Sequence, residues 1–128
     1  FFVPREKAYE AIRAVEALHS KIESLLFVSE IRCVAADDFW MSTSYQRESV
    51  AIHFTWKPNT PGVMSFLPKL EAVLKPFDVR PHWGKIFTQP AVELVDRYPK
   101  FDNFLKLKNE LDPKNIFQNR YLKTVLNL

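Results

Sequence analysis

The sequence predicts an α+β domain in which a four-stranded antiparallel sheet carries two helices on one face and is followed by a helical tail. Three observations carry this expectation. Short runs rich in β-branched and aromatic residues show alternating polarity. Two longer stretches place apolar residues at three- and four-residue steps. The two patterns follow one another as β-α-β-β-α-β, the ferredoxin-like order. A length of 128 residues suits one domain. A hydrophobic content of 47%, with 11 phenylalanines, can supply a real core.

Phe1 to Val3 reads as a short buried strand ended by Pro4. Ala8, Ala11, Ile12, Val15, Leu18, Ile22 and Leu25 then form one helical stripe, with Glu6, Glu10, Arg13, Glu16 and Lys21 opposite. Leu26 to Val34 is a strand, Ala35 to Arg47 an aperiodic connection, and Glu48 to Trp56 a second strand with clear alternation. Thr60 as cap and Pro61 in the first turn start a second helix. Its stripe is Val63, Phe66, Leu67, Leu70, Val73, Leu74 and Phe77, and Pro68 should kink it or move its start toward Ser65. Phe77 to Trp83 reads as an edge strand interrupted by Pro81. Short helices follow: one from Thr88 and Pro90, one through Phe101 to Leu111 ended by Asp112-Pro113, and one holding Ile116, Phe117, Tyr121, Leu122 and Val125.

Composition removes several functions. The chain has only 2 glycines, Gly62 and Gly84, where average usage would give about nine. A glycine-rich loop that cradles a nucleotide phosphate therefore cannot be built here. The net charge is +3, and no two basic residues adjoin. That pattern points to neither nucleic acid nor an anionic membrane as partner. Cys33 is the single cysteine, so no internal disulfide and no cysteine-based zinc site is expected, and the histidines lack metal-ligand spacing. No apolar run approaches a membrane span, and a cytoplasmic location is expected. The start Phe1-Phe2-Val3-Pro4 reads as a cut inside a longer protein.

The alternation of the two central strands locates candidate functional residues. If Val50, Ile52, Phe54 and Trp56 face the helices, His53 and Thr55 face away. With Ile31 and Cys33 as core residues of the neighbouring strand, Glu30 and Arg32 share the open face with His53 and Thr55. Such faces are most often simply solvated. Gly84, retained in a glycine-poor chain beside Lys85, suggests an unusual φ or a close backbone approach.

Several segments together carry a family resemblance. They are Ser29-Glu30-Ile31-Arg32, Ala36 to Ser42 (ADDFWMS), His53-Phe54-Thr55-Trp56, Pro81-His82-Trp83-Gly84-Lys85, Leu111-Asp112-Pro113 and Phe117 to Leu122 (FQNRYL). In this order they resemble the C-terminal part of the alditol (xylitol) oxidases. These belong to the sugar-lactone oxidase group of vanillyl-alcohol-oxidase-type flavoproteins. The resemblance runs from about Phe1 to about Leu122, and the His-Phe-Thr-Trp strand favours alditol over aldonolactone oxidases.

That resemblance implies a single substrate-binding (cap) domain over residues 1–128, detached from an N-terminal FAD-binding domain with its covalently attached histidine. It implies FAD as cofactor, held mainly by that other domain, and a small polyol and O2 as partners. By the same resemblance Glu30, Arg32, Thr55 and Lys85 contact the polyol, His53 lies beside them, and His82 lies near the flavin. Arg32 and Lys85 would then stabilise charge on the reacting oxygen, with Lys85 or His53 as base. Hydride would pass to the flavin and O2 would become H2O2. The other readings are an aldonolactone oxidase of the same group and a non-enzymatic ferredoxin-like module binding a small ligand or RNA. RNA readers of that shape present stacking aromatics, and the predicted open face has none.

Overall fold

The computed structural model describes residues 1–126. Three strands form one antiparallel sheet: β1 (Phe2–Pro4), β2 (Leu26–Val34) and β3 (Ser49–Trp56), in the order β1-β3-β2. The helices are α1 (Ala8–Glu16), α2 (His19–Ile22), α3 (Thr60–Leu74), α4 (Ala91–Val95), α5 (Phe101–Leu111) and α6 (Arg120–Leu126). The fold is α+β. None of these helices is long and apolar enough to cross a membrane.

The alternation of β3 is borne out. Val50 and Ile52 are buried in the main core, and Phe54 and Trp56 pack against it. Trp56 stacks on Phe54 with centroids 5.3 Å apart and meets Phe66 of α3 edge-on at 6.2 Å. The stripe of α3 supplies Val63, Phe66, Leu67, Leu70 and Leu74 to the same core, and α1 adds Ala8 and Ala11.

The first helix is shorter than its stripe suggests. It breaks between Glu16 and His19, where Leu18 N–H donates to Val15 O in a tighter turn. The His19 ring lies 3.2 Å from the Glu16 carbonyl that the break frees. In α3 the cap is Asn59, not Thr60; its side chain accepts the Gly62 N–H at 3.1 Å. A Cβ on Gly62 would come within 2.6 Å of that same side chain. Pro68 sits inside α3 without shifting its start.

The expected fourth strand is reduced to a single bridge. Phe77 is drawn into a 3-10 turn (Lys75–Phe77), Asp78 takes a left-handed conformation with φ 51, and Pro81 has no N–H to give. Only Arg80 pairs, exchanging two backbone hydrogen bonds of 2.8 Å with Phe2. Ile31 and Cys33 also depart from expectation. They register with Ile52 and Val50 on the helix side, yet Ile31 is 56% exposed and Cys33 is exposed. β2 is the sheet edge, and α1 lies over β1 and β3 instead.

A second core joins the tail to the connection. Leu94, Tyr98, Phe101, Val125 and Leu126 are buried together, with Met41, Trp83 and Phe87 packed against them. Arg80 ties the two cores. Its buried guanidinium donates to Arg97 O at 2.8 Å, Thr43 O at 3.2 Å and Tyr45 O at 3.3 Å, and lies 5.2 Å from the Tyr98 ring centroid. Replacing Arg80 with Met leaves three carbonyls without this donor. It should cost about 1–3 kcal/mol, read as a lower urea midpoint with an unchanged slope; an unchanged midpoint would show that the guanidinium holds nothing together.

Candidate active site

The β2–β3 register sets the polar face. Glu30 lies directly opposite His53, Arg32 opposite Ala51, and Val28 opposite Thr55. Opposed residues share a face, so Glu30, Arg32, His53 and Thr55 stand together on the side away from α1 and α3. The strand β1 continues the floor, with Phe2 opposite Ala51. Ala51 is the small residue between Phe2 and Arg32, and it leaves the floor low there.

The polar groups form a connected set. The Arg32 guanidinium pairs with the Glu30 carboxylate. Glu30 Oε2 also lies 3.9 Å from His53 Nδ1, an ion pair only when the imidazole is protonated. His53 Nδ1 is buried and has no hydrogen-bond partner. Buried ring nitrogens ordinarily find a partner, and this one is left unpaired beside Glu30. Arg32, Thr55 and Lys85 are exposed, and Glu30 and His53 are half-buried.

The segment after the Arg80 bridge makes the opposite wall. It brings His82, Trp83, Gly84 and Lys85 to a concavity of about 1150 Å³, which Arg32, His53 and Thr55 also line. Glu30 stands behind Arg32 and is not in the lining. The His82 ring lies 6.0 Å from that of Phe2. Its Nδ1 accepts the Gly84 N–H at 3.0 Å, and its carbonyl accepts the Lys85 N–H at 3.0 Å. Gly84 does not need a positive φ. Nor is the expected close approach present: a Cβ there would sit 3.4 Å from the His82 ring, an ordinary contact. Partial desolvation, and then nearby positive charge that includes Lys85, hold the His82 imidazole below the usual histidine value.

Three wall residues escaped the sequence reading. The Trp83 indole N–H donates to Met41 O at 2.8 Å, its ring lies 4.8 Å from Tyr98, and its carbonyl accepts the Tyr121 hydroxyl. Tyr121, from α6, and Phe2, from β1, line the concavity with it. No periodicity links Met41, Trp83 and Tyr121, because they meet only through the second core. Among the described residues no group of three or more His, Cys, Asp or Glu is placed to hold a metal ion.

The D-arabinono-1,4-lactone oxidase family matches residues 1–125. The chain is 40% identical over 127 residues to an alditol oxidase of Streptomyces sp., covering 99% of this chain and 31% of that protein. It is 33% identical over 131 residues to an L-gulono-1,4-lactone dehydrogenase of Mycobacterium tuberculosis, covering 98% and 29%. It is 31% identical over 129 residues to an L-gulonolactone oxidase of Mus musculus, covering 96% and 29%. These relatives are, by name, oxidoreductases of sugar alcohols and sugar lactones. The chain belongs to the D-arabinono-1,4-lactone oxidase family. It spans under a third of the length of these curated relatives.

The His82 environment is testable by itself. Its imidazole should titrate by NMR with a midpoint below 6.5 and be neutral at pH 7. A depressed folded value means the unfolded chain binds the proton first. The linked stability is therefore present above pH 6.5 and lost as pH falls through the folded value. His82→Gln should remove that part of the acid slope; a midpoint at or above 6.5 would contradict the assignment.

Proposed function

We propose that this chain is the substrate-binding part of an FAD-dependent oxidase acting on the terminal hydroxyl of an alditol of the xylitol or sorbitol kind. Residues 1–128 form one cap domain in this reading. The flavin is bound mainly by a separate N-terminal domain of the same protein, and the location is cytoplasmic. The observation that carries the reading is the Glu30–Arg32–His53 set on the open face, with Thr55 and Lys85 lining the same concavity. The 40% identity to an alditol oxidase supports it.

The residues fit the reacting end of such a cofactor and not its phosphates. Neither glycine lies in a phosphate loop: Gly62 serves the α3 cap and Gly84 the His82 turn. The concavity instead combines aromatic walls with hydrogen-bonding side chains, which suits an open-chain polyol beside a planar ring. His82 is the residue of this chain proposed to meet the cofactor.

The alcohol would lose a hydride from carbon and a proton from oxygen as the C=O bond forms; FAD, held mainly by the separate domain with His82 of this chain beside it, would supply the two-electron acceptor for that hydride, with O2 as final oxidant and H2O2 as product. The Arg32 guanidinium and the Lys85 ammonium stabilise the oxygen as the proton leaves. His53, whose side chain lines the concavity, is the proposed acceptor of that proton, with Glu30 Oε2 3.9 Å from its Nδ1. In the alternative, Lys85 as the neutral amine takes the proton and Arg32 alone supplies the positive charge. Glu30 orients Arg32, and Thr55 Oγ1 donates to or accepts from a further hydroxyl.

The second reading is an aldonolactone oxidase, favoured by the family description and by the gulonolactone-acting relatives. A panel of alditols and aldonolactones, scored by anaerobic flavin reduction in the full-length protein, separates the two. Reduction by lactones alone would sink the alditol reading. In the same assay Lys85→Met and Arg32→Ala should each slow reduction on the order of 10²–10³-fold. Parent rates in both variants would remove these residues from the site. The isolated chain should be colourless and inactive, and a yellow purified chain would contradict the proposed division between domains.

A further inference from the structure

Glu71 is a carboxylate inside an apolar stripe. It sits one turn after Leu67 on α3, between Leu70 and Leu74, and is 6% exposed. A buried carboxylate is costly unless its lone pairs are filled. One residue fills both oxygens here: Oε1 accepts the Thr88 backbone N–H at 2.6 Å, and Oε2 accepts the Thr88 hydroxyl. Burial pushes the Glu71 carboxyl above the usual range, and the two Thr88 bonds pull it back.

Thr88 lies near the end of a segment with no regular structure that runs from Pro81 to Pro90. The start of that segment is fixed by the Phe2–Arg80 backbone pair and the Arg80 guanidinium. Lys85 lies between Trp83 and Phe87, whose rings pack against the second core, and its backbone N–H bonds only within the turn, to His82 O, so the clamp at Thr88 adds to those anchors. The segment passes from the wall of the concavity on the open face to α3 on the other face. The side chain of Thr88 is the point where it is fastened there.

We propose that Glu71 is a positioning residue: its carboxylate clamps Thr88 and so holds Lys85 in the wall of the concavity that Arg32 also lines. Its consequence for turnover rests on the reading of Lys85 as a site residue, and the clamp itself does not. Glu71 is the charged residue that the stripe of α3 would not need for packing. Leu would fill that position with less desolvation cost.

The experiment uses the full-length protein and two readouts. Amide hydrogen exchange should rise about tenfold or more across residues 82–88 in Glu71→Leu, with strands 26–34 and 49–56 unchanged. Glu71→Gln should stay near the parent, because its amide oxygen still accepts the Thr88 N–H and its amide N–H can donate to the hydroxyl. Anaerobic flavin reduction by xylitol should fall about tenfold in Glu71→Leu, but less than about twofold when Lys85→Met is already present. Parent-like exchange in 82–88 overturns the clamp. An equal loss in the Lys85→Met background overturns positioning through Lys85 and shows general damage. If Lys85→Met alone reduces flavin at the parent rate, the site reading fails, while the exchange result still judges the clamp. Should Glu71→Leu not fold, Thr88→Val breaks the hydroxyl bond from the other side and is read by the same exchange criterion.

Discussion

The candidate site depends on the antiparallel register between β2 and β3. Glu30 stands opposite His53 because Ile31 stands opposite Ile52 and Cys33 opposite Val50. The core holds that register through β3, where Val50 and Ile52 are buried. A slip of one residue would turn Glu30 and Arg32 to the helix side and carry Ile31 to the polar face. The site is thus the other side of the same pleat that builds the core. Its polar residues need no fold of their own.

The second constraint lies at the opposite edge. The fourth strand is a single bridge, so the chain beyond Arg80 is free of a ladder and can turn up over the face. That freedom is limited by side chains. Arg80 holds carbonyls of the connection and of the α4–α5 turn, and Arg47 donates to Asp78 O at 2.9 Å and Phe2 O at 3.3 Å. Burial lowers the Arg47 guanidinium to about 10, the neighbouring Arg80 acting the same way. Two guanidiniums bonded to carbonyls at one sheet edge thus replace the missing strand hydrogen bonds. The second core then presses Trp83 against Tyr98 and brings Tyr121 to the wall.

Much of this was legible beforehand for a definite reason. A strand with one buried face writes its period into the sequence, and Val50, Ile52, Phe54 and Trp56 carry it without a break. The polar residues between them needed no further information to be grouped. The edge strand misled, because Ile31 and Cys33 look like core residues while no helix covers them. Glu71 lies outside the stripe read from the sequence, and its partner lies 17 residues away in an aperiodic segment. Sequence spacing gives no hint of such a pair.

The sequence by itself determined the α+β class, the positions of the central strands, the shared face of His53 and Thr55, and the lack of a glycine-rich phosphate loop. Each of these follows from local period or composition, and neither needs a contact between distant segments. Only the tertiary structure decided that the fourth strand shrinks to one bridge, that Lys85 joins Arg32 around one concavity, and that Trp83, Tyr121 and Glu71 support it. Those outcomes rest on long-range contacts, where a carbonyl, a ring or a carboxylate meets a partner that no neighbour in the chain announces.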